Sequence, residues 1–234
     1  MVHVSIRENL LRIQEHIAAA ANRAGRRSEE VTLIGVSKTQ PAIAIQEAFQ
    51  AGLLHFGENR VQEWEVKRVG TKNLPATWHL VGHLQSNKAA KAAKLFHNVD
   101  SVDDFALAQK LDRARGESAT LGRLRVLIEV RVAREQTKSG AEVAELPDLA
   151  GRIAQLPHLD LAGLMCIPPF LKEAERVRPY FRRLRELGEE LRAKLGLPLP
   201  VLSMGMSHDF EIAIEEGATE VRLGTALFGA RESK

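Results

Sequence analysis

Short apolar runs alternate with longer amphipathic stretches along almost the whole chain, and that alternation sets the first expectations. The runs Val31–Ser37, Leu54–Gly57, Thr77–Gly82, Asn98–Ser101, Arg125–Val132, Leu161–Cys166, Val201–Met204 and Glu220–Gly224 predict strands of the kind buried on both faces of a parallel sheet. Between them Pro41–Ala51, Arg60–Val69, Asn87–Leu95, Val102–Arg115, Val143–Leu156, Glu173–Leu195 and His208–Glu216 predict helices. The stripe Val177, Tyr180, Phe181, Leu184, Leu187, Leu191 and Leu195 is the clearest, stepping by three and four residues. Ahead of the first strand lies one more helix. Ser5 and Glu8 have capping-box spacing, Leu10, Ile13, Ile17, Ala20, Ala21 and Ala24 share a face, and Gly25 is placed to stop it.

Eight strands alternating with helices predict an α/β fold, a single (β/α)8 TIM barrel with an extra N-terminal helix and one domain over 1–234. A doubly wound open sheet is the competing architecture. It usually carries a glycine-rich turn after its first strand, whereas here that turn is Ser-Lys-Thr-Gln-Pro.

Composition narrows the function classes. The formal net charge is +3, and the arginines of the Arg176–Arg192 segment alternate with glutamates as on a solvated helix face, which argues against nucleic acid as a partner. One cysteine, Cys166, allows neither a disulfide framework nor a thiolate metal site within the chain. No stretch has signal-peptide or membrane-span character, so a cytoplasmic location is expected.

The chemistry in such a barrel sits at the C-terminal ends of the strands. Lys38 ends the first run, where a desolvated amine can lose its proton and attack an aldehyde; the bland alternative is a strand-end lysine reaching for water. After strands seven and eight come Ser-Met-Gly-Met-Ser207 and Arg222-Leu-Gly-Thr225. Ser207 is expected at a helix N-cap, where free N–H groups favour an anion; Gly205 and Gly224 permit close backbone approach, and Thr225 adds a hydroxyl. Strand alternation puts Arg222 on the same face as Gly224. Its guanidinium then stands near a ring nitrogen, the competing role being a salt bridge to a strand-end acid. A lysine amine, a phosphate cup and an apolar slot together suggest pyridoxal 5'-phosphate (PLP). His79 and His83 are four apart, yet no clustered acid or thiolate completes a metal site, so a structural or cofactor-lining role is expected. Cys166 is expected to be a small buried residue.

SKT at 37–39, HFGENRVQE at 55–63, WHLVGHLQSNK at 78–88, TKSG at 137–140, GLMCIP at 163–168 and LSMGMSHDFEIAIEEGATEVRLGTALFGAR at 202–231 carry a resemblance over nearly the whole chain. In these motifs the sequence resembles the pyridoxal phosphate homeostasis proteins of YggS/PROSC type. The resemblance implies a barrel like the N-terminal domain of alanine racemase, with PLP held as a Schiff base on Lys38. By motif it implies cofactor contacts from Asn59, Ser207, Arg222, Gly224 and Thr225. Lys138 is the next candidate lysine, and His208 stands where the family often has an acid or alanine. It further implies a monomeric, non-catalytic carrier or buffer of PLP, with apo PLP-dependent enzymes as recipients. The alternative is a racemase or decarboxylase of the alanine racemase fold. Racemisation needs a second acid/base opposite the lysine, and the single tyrosine, Tyr180, lies in a helix stripe.

Overall fold

The computed structural model describes residues 5–71, 73–118, 121–133 and 139–229. Lys138 lies outside the described residues. Eight parallel strands, β1 (Thr32–Val36), β2 (His55–Glu58), β3 (Thr77–Leu80), β4 (Asn98–Val102), β5 (Leu124–Glu129), β6 (Leu159–Met165), β7 (Val201–Ser203) and β8 (Glu220–Leu223), close into a barrel in chain order. Closure is made by β1 against β8, with Ile34 opposite Arg222 and Gly35 opposite Leu223.

The helices are α1 (Ile6–Arg23), α2 (Ala42–Gln50), α3 (Val61–Thr71), α4 (Ala89–Leu95), α5 (Phe105–Gly116), α6 (Leu146–Ile153), α7 (Arg178–Leu195), α8 (Phe210–Glu215) and α9 (Thr225–Phe228). The capping box on α1 is formed: Ser5 Oγ accepts the Glu8 N–H, and the Glu8 carboxylate accepts the Ser5 N–H. Several boundaries differ from the sequence reading. Val102 completes β4, so α5 starts later, at the Asp104 cap, whose carboxylate accepts the Leu107 N–H at 2.7 Å. Pro41 is the N-cap of α2 and not its first helical residue. Helix α9, four residues long, was not expected at all.

Alternation in the strands sorts side chains into two environments. The outward set, with Phe56, Trp78, Val99, Ile128, Leu164 and Leu223, packs beneath the helices in the main core. There Trp78 stacks on Trp64 of α3 at 3.7 Å and on Phe56 at 5.1 Å. The inward set is mixed. One side of the barrel interior is apolar, built from Leu127, Ala162, Met165 and Val201. The other side is polar and buried, with His79, Asn98, Asp100, Glu220 and Arg222.

Helix α1 packs on α8, α9 and α2. It lies against the last βα unit, where Asn9 Nδ2 donates to the Leu227 carbonyl at 3.0 Å and Arg23 pairs with Glu211 and Glu215. Arg26, just past α1, donates to the Ala218 carbonyl at 2.8 Å. The arginines of α7 are spent inside the molecule: Arg178, Arg182 and Arg185 all reach Glu216, which follows α8.

Candidate functional site

Lys38 sits two residues beyond β1 in a tight turn that a buried ionic cluster holds from below. Lys67 of α3 reaches Glu58 at 3.0 Å, Glu63 at 2.6 Å and the Ser37 carbonyl at 2.7 Å. Ser37 Oγ donates to Glu58 at 2.7 Å. Glu58 is fully buried, and that burial pushes its carboxyl above the usual range even though Ser37 and Lys67 pull the other way. The next residue, Thr39, adopts φ 65°, an unfavourable region for a β-branched side chain, and donates its N–H to Glu63. The lysine is therefore presented from a strained turn that three charged groups brace. These braces are a part of the site that the sequence reading missed.

Across the mouth, the turns after β7 and β8 meet. Ser207 was expected at a helix N-cap, but Asp209 holds that position, and α8 begins only at Phe210. The Asp209 carboxylate accepts the Met206 N–H at 2.7 Å, closing the turn in front of the helix, and burial raises its pKa. Ser207 instead accepts the Ala226 N–H at 3.2 Å, which clips the β7 turn to α9. Its own hydroxyl hydrogen stays available to a further acceptor. Gly205 needs to be glycine: φ is 94°, and a Cβ there would meet Ala213 Cβ at 2.6 Å. At Gly224 the surrounding protein leaves room, since a Cβ would find ordinary contact with the Val36 carbonyl oxygen at 3.4 Å. Thr225 is the first residue of α9 and is exposed.

Arg222 points inward and is buried, 4% exposed. It donates to Ser203 Oγ and to the Cys166 carbonyl, each at 2.8 Å. Among the described residues no carboxylate lies within ion-pair distance of it, so the salt-bridge role has no support. The Cys166 side chain belongs to the core under the helices, and burial drives its thiol up to about 12, which makes it an inert packing residue.

All six residues singled out from the sequence, Lys38, Asn59, Ser207, Arg222, Gly224 and Thr225, line one cavity of about 440 Å³ at the C-terminal mouth. Asn59 is seated by an approach that only glycine permits, since a Cβ on Gly82 would stand 2.5 Å from the Asn59 carbonyl oxygen. The rim adds Ile167, Phe170, Met206 and Asp209, to which the sequence reading gave no role, and His83, for which it expected a structural or cofactor-lining one, with Nδ1 3.5 Å from Asp103. Phe170 is 75% exposed and leans on His208 at 5.2 Å between ring centres. His79, by contrast, turns into the barrel below the cavity, where Asp100 faces it at 2.9 Å. Acids therefore do cluster about one of the two histidines, contrary to the expectation from spacing. They come from other strands.

Comparison with known proteins bears directly on this arrangement. Residues 8–232 match the family described as alanine racemase, N-terminal domain. The pyridoxal phosphate homeostasis protein of Aquifex aeolicus is 46% identical over 225 residues, covering 96% of this chain and 98% of that one. Its Pseudomonas aeruginosa counterpart is 47% identical over 228 residues, 97% of this chain and 96% of the relative. The chain belongs to the pyridoxal phosphate homeostasis protein family. Among solved structures, PipY of Synechococcus elongatus without PLP superposes with a TM-score of 0.87 at 40% identity, covering 96% of this chain and all of PipY. PipY has also been solved with PLP bound, and that form superposes at 0.82 with 42% identity over 91% of this chain and all of PipY. Alanine racemase of Clostridium difficile, 14% identical with a TM-score of 0.76, shares the fold: 98% of this homeostasis family member aligns with 58% of the racemase.

Proposed function

We propose that this protein binds PLP as a Schiff base on Lys38 and serves PLP homeostasis by holding the cofactor and releasing it to apo PLP-dependent enzymes. The observation that carries the reading is one cavity lined by a lysine, a buried guanidinium and a clipped pair of hydroxyl-bearing turns. These residues fit the cofactor group by group. Ser207 and Thr225 suit a phosphate dianion, because Ser207 keeps a proton to donate and Thr225 stands at the cavity edge. Arg222, held by Ser203 and Cys166, presents a permanent donor and no proton to give up, so it suits an unprotonated ring nitrogen. When bound, the cofactor supplies an electrophilic aldehyde, and Lys38 is the amine placed to meet it.

Holding and releasing asks for an accessible mouth, and the rim residues His83, Phe170, His208 and Thr225 are all exposed. The reading takes the chain as a cytoplasmic monomer; no helix among the described residues is long and apolar enough to cross a membrane. Wild-type protein mixed with PLP should absorb at ~420 nm, and borohydride should abolish the band and fix the cofactor on Lys38. Lys38→Ala should lose the band. Full absorbance in that variant would remove Lys38 from the role and pass it to another lysine, with Lys138 first in line.

One observation favours the second reading, an amino-acid racemase or decarboxylase. His83 with Asp103 is an acid/base pair on the cavity rim. Incubation of the PLP-loaded protein with each L-amino acid in heavy water decides between the two. Cα exchange at about one turnover per second or faster, lost in His83→Gln, would replace the carrier by the enzyme.

A further inference from the structure

Inside the barrel, one layer below the cavity, His79 of β3, Asp100 of β4 and Glu220 of β8 converge. The layering follows from alternation: Val81 and Arg222, two residues beyond His79 and Glu220, line the cavity above. One donor atom from each of the three side chains lies within 4.8 Å of the other two. His79 and Asp100 are fully buried and Glu220 is 4% exposed.

Each carboxylate has one oxygen served and one orphaned. Asp100 Oδ2 faces His79 Nδ1 at 2.9 Å, and Glu220 Oε1 accepts from Arg125 at 2.7 Å. Asp100 Oδ1 and Glu220 Oε2 have no hydrogen-bond partner, and they are two of the three such buried side-chain atoms among the described residues. Buried polar atoms are almost always paired, so two orphans in one cluster call for an occupant. Of the two carboxylates only Glu220 meets a guanidinium, while Asp100 faces an imidazole, so the pair of orphaned oxygens suits a cation.

We propose that His79, Asp100 and Glu220 form a binding site for one divalent transition-metal ion of the zinc class, separate from the cofactor cavity. An imidazole among the ligands favours zinc or its first-row neighbours over magnesium or calcium, which take oxygen ligands alone. His79 Nε2 stands 3.1 Å from His55 Nδ1. Without the ion Nδ1 donates to Asp100 Oδ2; on binding, that proton passes to Nε2, where it is donated to His55, so that Nδ1 and Asp100 Oδ2 become neighbouring ligands and His55 gives the outer support that metal-bound histidines ordinarily have. The bound ion ties β3 and β4 to β8 across the barrel interior. It enters from the N-terminal end, where His55 is half-buried and the Arg125 side chain is 25% exposed. PLP enters at the opposite end, so the two ligands do not compete.

The test uses the full chain freed of PLP, because PLP itself chelates metals, and stripped of metal by dialysis against a chelator. Zinc chloride added against a colorimetric zinc indicator should bind one ion per chain and raise the melting temperature, and cobalt chloride should give the visible bands of a low-coordinate site. Asp100→Asn and Glu220→Gln should each weaken zinc by at least ~100-fold, the upper end of the loss seen when even an outer support is removed. His83→Gln, which alters the rim histidine, should leave zinc affinity unchanged. Wild-type crystals soaked in zinc chloride should show anomalous density between His79, Asp100 and Glu220, a readout that holds even where the variants fail to fold. Absence of stoichiometric zinc, zinc density elsewhere, or a water in that position would overturn the proposal.

Discussion

At the scale of single residues, the site depends on which atoms still have a hydrogen to give. Ser207 Oγ is already an acceptor for the Ala226 N–H, which leaves its own proton to give to another acceptor. Hydrogen bonds to a charged acceptor contribute about 1.5–3 kcal/mol each. The double variant Ser207→Ala, Thr225→Ala should therefore weaken PLP by at least ~100-fold while leaving unphosphorylated pyridoxal little changed, as read by titration of both ligands. Equal losses would assign the two hydroxyls to the fold and not to the phosphate. The brace beneath Lys38 makes a second prediction. Lys67→Met strands the fully buried Glu58 carboxylate, and uncompensated buried charge costs about 3–5 kcal/mol in urea unfolding. Adding Glu58→Gln should recover much of that loss, because it removes the stranded charge; no recovery would mean that Lys67 acts through packing alone.

At the scale of elements, the link between β3 and β4 contains a proton-sensitive contact. His97 Nδ1 accepts the Trp78 N–H at 2.9 Å, which only an unprotonated nitrogen can do. Burial, helped by nearby positive charge, holds its pKa below the ordinary histidine value. The unfolded chain therefore takes up this proton first, and stability should fall as pH drops below about 6.5. His97→Gln, which keeps an acceptor for Trp78, should lessen the slope of that acid limb in urea melts between pH 7 and pH 5, the rest coming from the half-buried His55, held down to about 4 by burial; an unchanged slope would remove His97 as a source. How far such elements were legible differs from case to case. Strand positions came through within a few residues because apolar runs bounded by turn residues report burial directly. Helix α9 did not, since four residues carry no periodicity. The cap of α8 was misplaced from Asp209 to Ser207 because both residue types cap helices and stand two apart. The His79–Asp100–Glu220 cluster was invisible to spacing, since its members sit on three strands and only barrel closure brings them together. Lys38, Ser207, Arg222, Gly224 and Thr225 were found because each follows, or lies in, a strand at its C-terminal end, where the barrel gathers side chains, whereas Asn59 came only from the family motif.

At the scale of the whole molecule, α1 stabilises the unit that carries the hydroxyl turns. Asn9 Nδ2 holds the carbonyl of Leu227 in α9, the helix that Thr225 starts. Asn9→Ala should cost about 1–3 kcal/mol of stability by orphaning a buried acceptor and should lower PLP affinity as well, through a looser α9. A stability loss with unaltered PLP affinity would show that α1 fastens the fold and not the cofactor cup. The pairing of β1 with β8 has a further meaning in time. Lys38 leaves the ribosome ahead of Ser207, Arg222 and Thr225, and β8 must dock against β1 before the cavity has its second wall. A chain in which β8 has not yet docked displays Lys38 without the turns opposite it, and only the closed barrel owns both. On the proposed reading, cofactor capture thus doubles as a report that the barrel has closed.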